Sequence, residues 1–425
     1  MAMATPVSRE GIPADGMHRT LTRQHWLLII FCTLVSLMDG FDTQAISFAA
    51  PSLLRELGIS SSILGTVFSA GLLGGMCGAL PAAHIERRIG RRSLLLLCLL
   101  WFSLGAILTT FATGGLQLIA VRFFSGVGLG MAIPMVLGAM TDSIPRGVRA
   151  RALAIVMCAI PAGGLFVGFV AAAVIPRFGW QSLFYIGCLL PLALVPLLHV
   201  VFPSNRVVPI SDEGRPSDEA VSAEKRGYFR SLFAEGGIGL VILLITNFFG
   251  AGLIFVLLSW TPALLIDMGT GQRGASVAGA ILNGGAMLAF LALGYLLDRR
   301  EPVSLTVVCY VLATAFISCL GFSSGNGPWV LTFAFLVGFF GVGIQVAITY
   351  LIANTVSPHR RVAVLGVGMI SSRSGGAIGP IVIGVLAQSG LTPTGLFLFM
   401  ATIAAVTGGG TLAYGWSERA RQGSR

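Results

Sequence analysis

Residues 26–49 read WLLIIFCTLVSLMDGFDTQAISFA. A bilayer-spanning helix needs about 20 predominantly apolar residues, and this run is long enough, yet it carries Asp39 and Asp42 three positions apart. An acid at the centre of such a helix costs roughly 2.5–3.5 kcal/mol on insertion scales, so two on one segment need a reason. At 1.5 Å per residue they stand roughly 20 and 24 Å along the helix from Trp26, beyond its midpoint, and a spacing of three puts them on nearly one face. Carboxylates held together out of water suit a proton acceptor that titrates as a pair. The alternative is that one of them caps a kink at Gly40 or neutralises a buried arginine; which member would carry the proton is open.

The rest of the chain agrees with a membrane setting. Of its 425 residues 55% are hydrophobic and 10% charged, with a mean hydropathy of +0.88; a soluble protein of this length needs roughly 25% charged residues to cover its surface. Fifty-six glycines and nineteen prolines fit membrane helices, where close packing rewards small residues. The seven cysteines all fall in apolar runs, with no CxxC pair and no Cys/His cluster, so neither a disulfide nor a metal site is expected. No short apolar core with a small-residue cleavage site follows the polar residues 1–24, so no cleaved signal peptide is expected.

Apolar runs of spanning length number six in the first half, near Trp26 to Ala49, Ile63 to Ala83, Leu94 to Phe111, Leu116 to Met140, Leu153 to Val174 and Ser182 to Val201. Six more follow near Ile238 to Leu258, Val277 to Leu297, Val303 to Phe322, Trp329 to Leu351, Val362 to Leu386 and Leu396 to Tyr414. With both termini cytoplasmic, only Arg55, Arg177 and Arg273 fall in outer loops and Arg122 and Arg373 inside spans, leaving the rest of the 27 Lys and Arg inside. The positive-inside rule selects that orientation. It also explains the net charge of +10 without a nucleic-acid partner, because the basic residues are spread over the loops as topological signals.

The organisation expected is an all-α membrane protein: a cytoplasmic tail (1–24), a six-helix half (25–203), a cytoplasmic linker (204–236) with a short amphipathic helix around Phe229 to Phe233, a second half (237–416) and a tail (417–425). Landmarks recur about 212 residues apart, pairing Arg88 with Arg299, Pro145 with Pro358 and Gly163 with Gly375. Repeated halves place a substrate site at their interface near the midplane.

Twelve spans in two pseudo-symmetric halves, with a basic loop after spans two and eight, resemble the major facilitator superfamily. Within it MDGFDTQAISFAAPSL (38–53), RFFSGVGLGMAIP (122–134), GWQSLFYIGCLLPL (179–192), SWTP (259–262) and SSRSGGAIGP (371–380) are similar to the aromatic acid:proton symporters. That resemblance implies a proton-coupled importer of an aromatic carboxylate of the benzoate, hydroxybenzoate or hydroxyphenylpropionate type. It would work by alternating access in a bacterial inner membrane as a functional monomer, with the lipid bilayer, the substrate and protons as its partners and no cofactor beyond the coupling proton. Two departures stand out: Arg87 occupies the place of the aspartate usual in the first basic loop, with Glu86 one position early, and Asp142 stands where glutamate is commoner. The resemblance implies gate ion pairs among Asp142, Arg149, Asp298, Arg299 and Arg88.

Polar residues inside the spans supply the candidate site. Arg373, flanked by Ser371, Ser372, Ser374 and two glycines, matches a substrate carboxylate with two parallel hydrogen bonds; its alternative is a permanent ion pair with Asp39 or Asp42. Arg122 either faces the cavity or snorkels outward. Asn247, Asn283, Gln345 and Thr349 suit a ring hydroxyl or bond across helices, and Phe41 and Tyr350 suit ring stacking or simple packing. None of the five histidines lies deep in a span, which leaves the aspartates as proton carriers. Rival readings are a symporter of another organic acid, an exporter using proton antiport and, from another class, a membrane sensor. An enzyme is not expected, because no HExxH, nucleophile elbow or paired catalytic histidine is present.

Overall fold

The computed structural model describes residues 21–202, 218–297, 299–323, 327–357 and 360–423. Apart from short connections it is helical, with twelve helices long and apolar enough to cross a membrane. In the first half they are α1 (Arg23–Glu56), α2 (Ser61–Ile89), α3 (Arg91–Thr110), α4 (Gly115–Ser143), α5 (Arg146–Phe178) and α6 (Gln181–Val201). In the second they are α7 (Asp218–Asp267), α8 (Gln272–Leu297), α9 (Pro302–Phe322), α10 (Pro328–Asn354), α11 (Arg361–Gln388) and α12 (Pro393–Gly423).

Each helix overruns its apolar run, because its polar ends continue past the hydrocarbon and find caps there. Thr22 and His25 cap α1 reciprocally, Ser60 accepts the Ile63 amide at the start of α2, and Glu301 accepts the Val303 and Ser304 amides ahead of α9. Such caps satisfy amides that the helix itself leaves unpaired. A single residue, Gly90 at φ 82°, joins α2 to α3, a backbone conformation that costs glycine little. Gly237, at φ 57° and ψ −155°, kinks the long α7 near the start of its spanning part, Glu235–Asp267. Helix α10 contains a π-helical stretch, Gly338–Val342.

The two halves repeat one packing plan. Helix α2 lies along α4, α1 along α5 and α3 along α6, and the same pairing recurs as α8 with α10, α7 with α11 and α9 with α12. Glycines set the close pairs: a Cβ on Gly40 would strike the Ile160 carbonyl in α5, and one on Gly375 would strike the Phe248 carbonyl in the matching second-half pair. Between halves α2 meets α11 and α5 meets α8.

Twelve crossings bring both chain ends to one face. Toward the opposite, far face the halves are joined: a Cβ on Gly65 would collide with the Pro380 carbonyl, Phe68 meets Trp260 edge-on at 5.5 Å and Gln272 donates to the Phe48 carbonyl, while the Trp260 indole is held within the second half by the Pro380 carbonyl. One buried core accordingly runs from the far ends of α1, α2, α5 and α6 into the second half. The first half's terminal-face ends have a separate core built around Phe31, Leu94, Met135 and Leu198. Packing that is continuous at one end and divided at the other leaves a cleft between the halves opening toward the termini.

Candidate functional site

That cleft is a cavity of about 420 Å³ walled by α1, α2 and α4 of the first half and α11 of the second. Its roof is Phe68 beneath Trp260, and its mouth lies where Leu80 and Ile370 are 85% and 63% exposed. The walls are apolar apart from five side chains: Asp39, Asp42, Thr43, Arg122 and Arg373. A mostly apolar pocket with a few convergent polar groups is the usual form of a small-molecule site.

The four charged groups are not equivalent. Arg122 Nη1 donates to Asp42 Oδ1 at 2.9 Å, and its Nη2 donates to the Asp42 backbone carbonyl at 3.0 Å. Both side chains are 4% exposed. The pair therefore satisfies two charges inside the bundle and ties α4 to α1; glycine contacts such as Gly126 on the Gly71 carbonyl bring α4 and α2 close enough to enclose it. Asp39 and Arg373 are only half-buried, and neither makes an ion pair or side-chain hydrogen bond with a described residue. They face the same cavity, and Arg373 is the cation acting on Asp39.

Of the residues predicted from sequence, Asp39, Asp42, Arg122 and Arg373 thus converge. Arg122 turns into the bundle rather than snorkelling out, because Asp42 is within reach. The remaining candidates do not line the cavity. Asn283 and Gln44 exchange two amide hydrogen bonds of 2.7 Å, linking α8 to α1 across the halves. Asn247 donates to the Gly368 carbonyl at 2.8 Å and accepts from Gln345 at 3.1 Å, so these amides bond helices to one another. Thr349 donates to the Gln345 carbonyl, Phe41 is buried against Phe166, and Tyr350 packs on the second-half core. Thr43, which sequence reasoning passed over, is the added wall residue; its signal was a position four after Asp39, on the same helix face.

At the terminal face Asp142 pairs with Arg91 at 2.9 Å rather than with Arg149, whose Nε donates to the Ile144 carbonyl. Arg91 also pairs with Glu86. The acid displaced by one position from the usual loop pattern is thus in use, and Arg91 joins the ends of α2, α3 and α4. Arg88 is exposed, Arg299 lies over the Tyr295 ring at 4.2 Å, and Asp298 falls outside the described residues. The second half is clamped by Glu235, which pairs with Arg360 at 3.0 Å and accepts the Ser357 amide.

A family model described as Major Facilitator Superfamily matches residues 32–380. The chain belongs to the Major Facilitator Superfamily. Among solved members, the crystal structure of the D-xylose-proton symporter superposes with a TM-score of 0.74 at 19% identity, covering 92% of this chain and 96% of that one, which shows the shared fold. Closer in sequence is the 4-hydroxybenzoate transporter PcaK of Pseudomonas aeruginosa, 30% identical over 89% of this chain and 91% of the relative. The gallate transporter of Pseudomonas putida is 30% identical over 92% and 93%. As a superfamily member the chain is a multi-pass inner-membrane transporter, not an enzyme.

Proposed function

We propose that the chain imports an aromatic carboxylate together with a proton, with Asp39 as the proton carrier and Arg373 as the carboxylate anchor. One observation carries this division: Asp42 is engaged by Arg122 in a buried ion pair, whereas Asp39 and Arg373 face the cavity with no ion pair to another described residue. The names of the relatives support the substrate class, and the apolar walls with Phe68 at the roof suit a ring.

The chemistry follows from charge. With Asp39 ionised, the two acids and two arginines on the wall are formally neutral, and Asp39 competes with any anion for Arg373. A proton on Asp39 removes that competition and leaves one net positive charge. A monoanion then restores neutrality, its two oxygens matched to the guanidinium fork. Closing an uncompensated charge into a dry cavity costs several kcal/mol, so the empty and the doubly loaded carriers cross more readily than either singly loaded one. That difference is what couples the two fluxes. With the termini cytoplasmic, as the basic loops require, the cavity opens inward and the far-face contacts between the halves form the closed outer gate.

The test is uptake of labelled 4-hydroxybenzoate into proteoliposomes under an imposed pH gradient. Wild type accumulates it, Asp39→Asn loses accumulation while still binding, and Arg373→Ala loses binding. Normal binding by Arg373→Ala contradicts the anchor assignment, and failure to take up any aromatic acid contradicts the substrate class.

A further inference from the structure

Among the described residues, Thr43 leaves its hydroxyl unbonded on the cavity wall, whereas most threonines of the bundle bond back along their own helix; Thr261 is also unbonded but is buried away from the cavity. Inside these helices a threonine hydroxyl commonly turns back to the carbonyl four residues earlier, as Thr33, Thr66, Thr109, Thr314, Thr349 and Thr407 all do. That fallback is always within reach on a helix. Thr43 has the Asp39 carbonyl at the same offset, yet its hydroxyl bonds to no described residue, although the side chain is only half exposed and lies on the cavity wall. It is the sole uncharged polar side chain among the described residues there.

Its position gives that free hydroxyl a use. Asp39 and Thr43 are four residues apart on one face of α1, a rise of about 6 Å, roughly the span of a benzene ring with a substituent at each end. Arg373 lines the same cavity as Asp39 and Thr43, and Phe68 closes the roof toward which α1 carries Thr43. A carboxylate held on Arg373 therefore directs the far end of its ring to the Thr43 hydroxyl.

From this geometry we infer that Thr43 is a specificity-determining residue that hydrogen-bonds a hydroxyl at the ring position opposite the carboxylate. The inference rests on the aromatic-carboxylate reading above. A threonine hydroxyl both donates and accepts, so it pairs with a phenol in either sense. Its discrimination is modest, because with an unsubstituted ring the hydroxyl can return to the Asp39 carbonyl instead of remaining stranded. One neutral hydrogen bond corresponds to a preference of about 2- to 10-fold.

The test compares binding of benzoate, 2-hydroxybenzoate and 4-hydroxybenzoate to the purified full-length protein and its Thr43→Val and Thr43→Ser variants. Wild type is expected to favour 4-hydroxybenzoate over benzoate by about 2- to 10-fold. In Thr43→Val that preference vanishes while affinity for benzoate stays within 2-fold; Thr43→Ser keeps the preference, and 2-hydroxybenzoate responds to neither change. An undiminished preference in Thr43→Val overturns the inference, as does equal wild-type affinity for benzoate and 4-hydroxybenzoate. Should Thr43→Val lose benzoate as well, Thr43→Ser decides, since loss of the preference with the hydroxyl retained overturns it. Absence of binding for all three acids in wild type instead removes the substrate reading on which it stands.

Discussion

Two aspartates on one helix face receive different work from their surroundings. Asp42 reaches Arg122 on α4 and is engaged, whereas Asp39, a little under one turn of helix away, faces the cavity that Arg373 also lines. Removing one member of a buried ion pair strands the other charge, at a cost of about 3–5 kcal/mol. Asp42→Asn should therefore lower the melting temperature of the purified protein clearly, while Asp39→Asn leaves it close to wild type; equal shifts in a thermal unfolding assay would remove the distinction. From sequence both acids were legible as candidates for the proton, and the choice between them was not. It depends on which arginine stands opposite, and Arg122 lies 80 positions from Asp42 in the chain. The same limit applies to the amides: Asn247 and Asn283 read as ligands or as links between helices, and only the neighbours Gly368 and Gln44 show the second arrangement.

Among helices, all twelve were legible, because a run of spanning length in a low-dielectric solvent has few alternatives to α-helix. Their polar overruns were less so, since they are set by local caps and not by hydrophobicity. The π-helical stretch of α10 gave no sequence signal beyond its glycines. Where α2 meets α11, Gly65 and Gly384 allow backbone contact at the far face, and a Cβ on either would strike a carbonyl or backbone atom of the partner helix. Gly65→Val should therefore hold the halves apart at this end without disturbing either half's own core. Labelling of a cysteine introduced at Phe68 by an impermeant reagent added from the far face should rise in this variant; unchanged protection would show that the contact is not the outer gate. At the opposite end Arg91 binds both Glu86 and Asp142, so the unusual Arg87 does not deprive the first half of its terminal-face clamp. The sequence pattern exposed the shift of the acid but not the partner that accommodates it.

The whole molecule is a two-part body with a core continuous at one end and divided at the other, and a cavity lined by Asp39, Asp42, Arg122 and Arg373 sits where the division begins. Transport of one proton with one monoanion moves no net charge, so initial uptake should respond to the pH gradient and be insensitive to an imposed membrane potential. A second proton would add about 2.3 kcal/mol per 100 mV, and vesicle uptake at clamped potentials separates the cases. The central claim is that Asp39 is protonated as the substrate docks on Arg373, and calorimetric binding in buffers of different ionisation enthalpy tests it most directly. Wild type should take up one proton per 4-hydroxybenzoate bound, with affinity weakening as pH rises, while Asp39→Asn should bind with no proton uptake and no pH slope. Proton uptake that persists in Asp39→Asn would contradict the account.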